Sequence, residues 1–292
     1  MKNLRGAVAV VTGAGSGIGR ALAQELASHG AELALADVNA ASLEETRKLL
    51  GSAQARTYVV DVSEAAAVEA FAGNVERDFG RASLLINNAG VALLGTFDQL
   101  TLADFEWLFR INFWGVVYGC KFFIPLLKRE PEAHIVNVSS VFGLIAPPGQ
   151  TAYAASKFGV RGFTEALRGE LLDSKVRVTS VHPGGIRTHI AENARASAAT
   201  RDEDRAYAHE RFDKLARTSP EKAAKVIVNG ILRNKGRVLI GADAYRIDFF
   251  QRLLPVRAGL MLAKLMGIEM PENEPVAAAR ASDQGEAKAN RS

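Results

Sequence analysis

The sequence has a single cysteine, Cys120, among 292 residues. It can form no intramolecular disulfide and no cluster of cysteine metal ligands, and we expect no metal site. Because Cys120 lies in an apolar stretch, a buried and inert thiol is favoured over a nucleophile. So little cysteine is typical of a reducing compartment, which indicates a cytoplasmic protein.

Long hydrophobic runs are also missing from the sequence. It has no stretch of about 18 uncharged apolar residues, and the apolar run near its start is too short for a signal peptide. With 48% hydrophobic side chains, the chain can nevertheless bury a large core. We therefore expect a folded and soluble main body.

The sequence also has little excess of either charge, because 36 basic residues against 32 acidic ones leave a net charge of only +4. Residues 245–267 carry four basic side chains and one acidic one, so this segment alone contributes +3. The basic excess is therefore local and does not form an extended phosphate-binding surface. We expect no nucleic-acid partner.

Short apolar runs alternate with longer stretches of helical period along the chain. This alternation predicts a doubly wound α/β fold, in which a parallel seven-stranded sheet carries helices on both faces and binds its ligand beyond the carboxyl ends of the strands. The predicted strands are residues 7–12, 32–37, 56–60, 83–87, 134–140, 176–182 and 237–241. The predicted helices lie near residues 18–29, 42–50, 64–79, 101–128, 152–173 and 220–234.

Three segments depart from this alternation and set the predicted boundaries of a single domain over residues 1–243. Within it, residues 189–218 interrupt the pattern after the sixth strand, and a lid is favoured over a solvated helix pair. Residues 244–268 predict a basic amphipathic helical extension that could cover the cleft, seal a subunit interface or lie on an anionic membrane. Residues 269–292 have almost no bulky apolar side chains and are expected to be disordered.

The first predicted strand leads directly into the glycine-rich segment TGAGSGIG, which is followed by a helix. Gly13, Gly17 and Gly19 permit a tight turn whose backbone N–H groups can approach a pyrophosphate. Ser16 and Ile18 lie at the start of the helix, whose N-terminus favours an anion. The segment predicts a dinucleotide-binding site, and its spacing TGxxxGxG resembles that of the classical short-chain dehydrogenase/reductase family, whose domain has a Rossmann fold.

Asp37 ends the second predicted strand, where a carboxylate can bind the adenosine ribose hydroxyls and repels a 2′-phosphate. Family members that prefer NADP usually carry a cation at the positions of Ser16 or Val38, and neither residue is basic here. The sequence therefore favours NAD over NADP. The resemblance also implies that Asp61 and Val62 contact adenine, although Asp61 could instead cap the following helix.

The resemblance implies further cofactor contacts at the ends of two other strands. NNAG ends the fourth strand, so that Asn88, Ala89 and Gly90 would lie along the cofactor. PGGIRT follows the sixth strand, at the place where the family holds the nicotinamide carboxamide. The contacts implied there are Pro183, Gly184, Ile186 and Thr188.

Tyr153 and Lys157 are four residues apart at the start of a predicted helix, so their side chains share one face. A phenol is protonated near neutral pH, and a nearby ammonium favours the phenolate that takes a proton from an alcohol. Together with Ser140, at the end of the fifth strand, the pair resembles the family's catalytic signature, in which the tyrosine and lysine also contact the cofactor. The resemblance implies that Ser140 stabilises the substrate oxygen and that Asn112 holds a water in a proton relay to Lys157.

The residues that follow the NVSS and NNAG motifs are mostly apolar, and none of them is Arg or Lys. They predict a hydrophobic secondary alcohol or ketone as the small-molecule substrate. The predicted contacts to it are Ser140, Phe142, Leu144, Gln150 and Tyr153. The resemblance implies an NAD-dependent oxidoreductase that forms a homodimer or homotetramer. Two alternatives stay open: an NADPH-dependent carbonyl or ketoacyl-type reductase, and a non-catalytic nucleotide-binding scaffold.

Overall fold

The computed structural model of the chain describes residues 1–188, 190, 192–196, 216–259 and 261. Its strands are β1 (Val8–Thr12), β2 (Glu32–Asp37), β3 (Ala55–Val59), β4 (Leu84–Asn87), β5 (Leu93–Leu94), β6 (Ala133–Val138), β7 (Val176–Pro183), β8 (Arg195–Ala196) and β9 (Arg237–Ile240). Its α-helices are α1 (Gly17–Ser28), α2 (Ala40–Leu49), α3 (Ala65–Phe79), α4 (Leu102–Phe109), α5 (Gly115–Leu127), α6 (Thr151–Glu170), α7 (Pro220–Leu232) and α8 (Ala242–Leu253).

Seven of the strands form one parallel sheet with the order β3-β2-β1-β4-β6-β7-β9. The strand order reverses between β1 and β4, so a crevice opens there at the carboxyl ends of the strands. This architecture confirms the predicted doubly wound fold. Thr12, Asp37 and Asn87 end neighbouring strands at that edge, which is where the sequence motifs for a ligand site are found.

The core lies in two layers, one on each face of the sheet. Ala9 and Val11 of β1 belong to the layer that contains α1 and α7, whereas Val8 and Val10 belong to the layer that contains α3 and α5. Successive side chains of a strand point to opposite faces, so a central strand covered on both sides must be apolar at every position. All five residues of β1 are indeed buried.

The predicted helix over residues 101–128 is correct in extent but not uniform. Between α4 and α5, residues Arg110–Trp114 form a π-helix, which contains Asn112. A π turn inserts one residue into the helical ladder and is frequent at functional sites. The apolar periodicity of the sequence does not reveal it, because five residues are too few to shift the pattern visibly.

The sequence did not predict a short 3₁₀-helix and a pair of two-residue strands. Residues Val141–Gly143 form a 3₁₀-helix directly after Ser140, and Ser140 Oγ accepts a hydrogen bond from the backbone N–H of Phe142 at 3.1 Å. Strands β5 and β8 form a separate parallel pair of two residues each. Strands this short carry too little apolar alternation to be recognised.

The predicted lid and tail lie largely outside the described residues. Of the segment 189–218, the structure describes residues 190, 192–196 and 216–218, and it places Arg195 beside Leu93 in the β5–β8 pair. The tail 269–292 lies wholly outside the described part. Helix α8 begins at Ala242, so the predicted boundary at residue 243 falls inside its first turn.

Helix α8 buries one side and exposes the other. Ala244 and Ile247 pack with Val141, Leu144 and Ile145, which follow the serine of the NVSS motif. The outward-facing side and the turn after it expose Tyr245, Phe249, Phe250, Leu253 and Val256. Among the residues that the structure describes, no helix is long and apolar enough to cross a membrane.

Candidate functional site

The glycine-rich turn lies at the carboxyl end of β1 and leads into α1. Gly13 and Gly17 have φ values of +65° and +50°, a region that favours glycine. A Cβ on Gly13 would lie 2.8 Å from Ala89 Cα, and one on Gly19 would collide with Gly13 O. Glycine is therefore needed at Gly13 because the turn packs on the NNAG backbone, and at Gly19 because the turn folds back on itself.

The start of α1 is open to an anion. Its N-cap, Ser16, makes no side-chain hydrogen bond to the first turn, so the helix N-terminus is left to the solvent side of the turn. The methyl carbon of Thr188 would be 3.1 Å from a Cβ on Gly17. The glycine turn and the PGGIRT loop thus approach each other, and the residues fit a dinucleotide whose phosphates lie between them.

Asp37 faces the glycine turn from the carboxyl end of β2. Its Oδ2 accepts a hydrogen bond from Gly15 N at 2.9 Å, and its Oδ1 accepts one from Asn39 N at 3.0 Å. Val38 next to it is 63% exposed, which leaves this end open. The carboxylate is therefore anchored by backbone donors and presented at the strand end that the sequence predicted.

Arg20 is a cation near this end that the sequence reading did not consider. Its guanidinium donates to the carbonyl oxygens of Gly15 and Ser42 and pairs with Glu45 at 2.9 Å. These partners occupy its donors and offset its charge. Arg20 therefore connects the glycine turn to α2.

The NNAG segment is fixed to β1 by Thr12 and Asn88. Thr12 Oγ1 accepts hydrogen bonds from Asn88 N at 3.0 Å and Ala89 N at 3.1 Å, and Asn88 Nδ2 donates to Thr12 O at 2.9 Å. Gly90 follows, and a Cβ there would lie 3.2 Å from Asn112 Oδ1 and 3.4 Å from Lys157 Nζ. The backbone at Gly90 thus runs between the cradle and the predicted catalytic residues.

Tyr153 and Lys157 of α6 come together with Ser140, which follows β6. Burial raises the pKa of Tyr153, and the hydrogen bond with the Ser140 side chain opposes that shift. Lys157 Nζ lies 5.7 Å from the centre of the Tyr153 ring and donates to Val138 O at 3.1 Å. This arrangement can give a proton to, or take one from, an oxygen placed beside the two hydroxyls.

Lys157 is only 4% exposed, and burial lowers its pKa to about 8. Since a buried ammonium is costly, the lysine keeps its charge at neutral pH with a smaller margin than a surface lysine has. The carbonyl of Lys157 accepts a hydrogen bond from Ser139 Oγ at 2.8 Å. The end of β6 and the start of α6 are thereby held together at the site.

Asn112 is fully buried in the π-helix and is held by the backbone of Val91. Its Oδ1 accepts from Val91 N at 2.8 Å, and its Nδ2 donates to Val91 O at 3.0 Å. The amide is therefore oriented by two hydrogen bonds beside the Gly90 backbone. Its role in a proton relay stays a prediction.

His182 contacts the backbone of Ser140, and the sequence did not predict this contact. Its Nδ1 lies 3.0 Å from Ser140 O, and its Nε2 lies 2.9 Å from Ser180 Oγ. Burial lowers the pKa of His182 to about 4, so the ring is neutral at pH 7. A histidine next to the proline of a PGG turn was the only available signal, and it does not indicate a contact to another strand.

The predicted substrate contacts differ in their positions. The Phe142 ring packs edge-on against the Tyr153 ring, with 6.2 Å between their centres, so it borders the reaction centre. Gln150 is half-buried just before α6. Leu144 is only 1% exposed and packs under α8 with Ile247, which makes it a support of this loop.

The remaining predicted contacts lie at the edge of the cradle. Asp61 is exposed, and its Oδ1 accepts from Ser63 N at 2.9 Å, which forms the turn before α3. Val62 is buried against Gly115 at the start of α5. Contact of either residue with adenine stays a prediction. Within the described residues, no group of three or more His, Cys, Asp or Glu side chains could hold a metal ion.

Comparison with known proteins gives consistent results for sequence and fold. The sequence model of the family described as short chain dehydrogenase matches residues 7–199. The putative oxidoreductase SadH of Mycobacterium tuberculosis is 48% identical over 259 residues, which cover 87% of this chain and 93% of that protein. Epidermal retinol dehydrogenase 2 of Mus musculus is 33% identical over 273 residues, which cover 91% of this chain and 84% of that protein.

A solved structure also matches closely. The short chain dehydrogenase/reductase from Burkholderia phymatum in complex with NAD superposes with a TM-score of 0.81 at 31% sequence identity. The match covers 87% of this chain and 95% of that chain.

Proposed function

Because the chain belongs to the short-chain dehydrogenase family and is an NAD(P)-dependent oxidoreductase, we propose that it transfers a hydride between NAD and a hydrophobic secondary alcohol or ketone. The observation that carries this proposal is the meeting of the Tyr153 and Ser140 hydroxyls beside the Lys157 ammonium. A non-catalytic scaffold is not supported, because the relatives are oxidoreductases and all three side chains are retained.

The proposed cofactor site uses three parts of the chain. The turn with Gly13, Gly17 and Gly19 would hold the pyrophosphate, and Asp37 would bind the adenosine ribose. The other implied cofactor contacts are Ser16, Ile18, Asp61, Val62, Asn88, Ala89, Gly90, Tyr153, Lys157, Pro183, Gly184, Ile186 and Thr188. When bound, the nicotinamide supplies the hydride acceptor or donor.

The protein's own residues handle the proton and the charge on the substrate oxygen. In alcohol oxidation, the Tyr153 oxygen takes the hydroxyl proton, and in ketone reduction it returns a proton to the oxygen. Ser140 donates a hydrogen bond to the same oxygen as negative charge develops on it. The Lys157 ammonium favours the phenolate of Tyr153, and Asn112 orients the relay that returns the proton to solvent.

An apolar substrate is supported by the residues around the reaction centre. Phe142 packs on Tyr153, and the polar contacts proposed there are Gln150 and the Ser140 and Tyr153 hydroxyls. The mouse relative is named for retinol, an alcohol on an apolar skeleton. An NADPH-dependent carbonyl or ketoacyl-type reductase is the alternative, and it is disfavoured because the Asp37 carboxylate would repel a 2′-phosphate.

A panel of apolar secondary alcohols and ketones, assayed with NAD(H) and NADP(H), tests this function. We expect turnover of apolar members and a kcat/KM that is at least about tenfold higher with NAD than with NADP, since the carboxylate repels the 2′-phosphate. Turnover restricted to charged sugars or acids would contradict the proposed substrate class.

Two variants separate the contribution of Asp37 from a general effect of acidic charge. Asp37→Ser should lower kcat/KM with NAD by about tenfold and narrow the preference over NADP, because both the ribose hydrogen bonds and the repulsion are lost. Asp98→Ser is the matched control, since Asp98 is exposed in the loop before α4. An unchanged preference in Asp37→Ser would reject the assignment of Asp37.

We also propose a peripheral membrane contact for the segment 244–268, through the exposed side of α8. Phe249 and Leu253 are 59% and 61% exposed there, and Arg246 and Arg252 flank them. An anionic lipid surface would complement the exposed basic side chains of Arg246 and Arg257 and accept the exposed apolar ones. The proposed homodimer or homotetramer would then form through other surfaces, in a cytoplasmic protein.

Sedimentation with vesicles measures this contact. We expect the full chain to sediment with vesicles of phosphatidylglycerol and phosphatidylcholine, and to remain in the supernatant with phosphatidylcholine alone. Phe249→Glu combined with Leu253→Glu should abolish sedimentation, whereas Leu172→Glu, at a 67% exposed site remote from α8, should not. Equal sedimentation of all three proteins would refute the contact. Removal of the whole segment is a poor test, because Ala244 and Ile247 belong to the core.

A further inference from the structure

Helix α8 contacts the site at two places. The residues of α8 that make these contacts belong to none of the sequence motifs. Its buried side packs against the segment that follows Ser140, through Ala244 and Ile247. Its first turn carries Asp243, which faces the PGGIRT loop after β7. The helix is therefore placed to influence both the substrate oxygen site and the loop implied to hold the nicotinamide.

The backbone of that loop packs closely around the carboxylate of Asp243. Asp243 Oδ2 accepts a hydrogen bond from Gly185 N at 2.7 Å. A Cβ on Gly184 would collide with Asp243 Oδ2, and a Cβ on Gly241 would collide with Asp243 Oδ1. A side chain at either position would collide with this carboxylate, which explains why both residues are glycine.

The other backbone hydrogen bonds of the loop act on either side of Gly185. Gly184 N donates to Ile240 O at 2.9 Å, and Arg187 N donates to Thr218 O at 2.9 Å. The Gly185 carbonyl accepts from Thr218 N at 3.2 Å. The N–H of Gly185 is held by Asp243, so the side chain sets the path of the loop immediately before Ile186 and Thr188.

We propose that Asp243 is a positioning residue that holds the 183–188 loop in the conformation that binds the nicotinamide half of the cofactor. The inference rests on the proposed function. Asp243 acts through Gly185 and needs no contact with the cofactor. Asp37 contacts the glycine turn at Gly15, whereas the loop approaches the turn at Gly17 through Thr188. The adenosine half should therefore depend on Asp243 far less than the nicotinamide half does.

This division gives a test that overall destabilisation would not mimic. NAD carries the nicotinamide, whereas ADP-ribose has only the part that the glycine turn and Asp37 would bind. In Asp243→Ala, calorimetry should give a Kd for NAD that is about tenfold higher, and a Kd for ADP-ribose within about twofold of the wild type. Asp243→Asn should restore the Kd for NAD to within about threefold, since its amide oxygen can accept the same hydrogen bond.

Asp248→Ala is the matched control on the same helix. Asp248 pairs with Arg237 and with Arg252, the latter at 3.1 Å, and both partners lie outside the 183–188 loop. Its loss should lower the Tm and leave the ratio of the two dissociation constants unchanged. The inference is overturned if Asp243→Ala weakens both ligands equally or neither, or if Asp248→Ala changes the ratio as much. Failure of the wild type to bind NAD would instead overturn the proposed function, and with it this inference.

Discussion

Replacing Tyr153 with phenylalanine is expected to lower kcat by about 10³-fold and to leave the Kd of NAD within about threefold of the wild type. The substitution removes only the hydroxyl that carries the proton. The ring keeps its edge-on packing against Phe142, so the fold around the site should be retained. Steady-state kinetics with an apolar alcohol, together with NAD titration, measure the two effects separately.

Tyr118→Phe is the control for this experiment. Tyr118 lies on α5, where its ring stacks on Trp114 at 5.7 Å, and the change removes the same atom outside the site. It should have near wild-type turnover. A Tyr153→Phe protein that retained full turnover would show that another group carries the proton, and the proposed mechanism would be wrong.

Replacing Lys157 with methionine is expected to lower kcat by about 10²-fold or more, and at the same time to stabilise the fold at pH 7. Activity falls because no ammonium then favours the phenolate of Tyr153. Stability rises because burial holds the pKa of Lys157 at about 8, below its ordinary value of 10.5, so the folded state binds this proton less tightly than the unfolded state does. Relief of that cost is on the order of 2 kcal/mol after loss of the hydrogen bond to Val138 O.

The pH dependence gives the sign of this effect. For the wild type, stability should rise between about pH 8 and 10.5, where only the unfolded state keeps the lysine proton, and this rise should be absent from Lys157→Met. Thermal unfolding at several pH values measures it. Lys121→Met, at an exposed position on α5, should change neither turnover nor the pH dependence. A less stable and fully active Lys157→Met protein would contradict both expectations.

The sheet and most helices were predictable because their signals are local. Strands β1 and β4 lie within one residue of the predicted segments, since a buried parallel strand is a nearly continuous apolar run bounded by turns. The π-helix at Asn112 and the two-residue strands β5 and β8 were not predictable. Their formation depends on contacts with residues that are distant in the sequence.

The candidate site was predictable to the extent that its residues belong to motifs. Tyr153 and Lys157 are one helical turn apart, so helix geometry alone places them on one face. The contacts that orient them were not predictable. Asn112 bonds to Val91, and His182 contacts Ser140 across 42 positions of the chain.

By itself, the sequence determined the fold class, the glycine-rich turn and the position of the tyrosine proposed to carry the proton, because each is encoded within a strand, a turn or a single helix. Only the tertiary structure decided what supports them. The scarcity of cysteine and the absence of long apolar runs narrowed the possible classes of protein. They gave no information about the contacts of α8. That helix packs beneath the segment after Ser140 and places Asp243 against Gly185, a contact between residues 58 positions apart. Such contacts depend on how the strands order in the sheet, which brings β7 and β9 side by side.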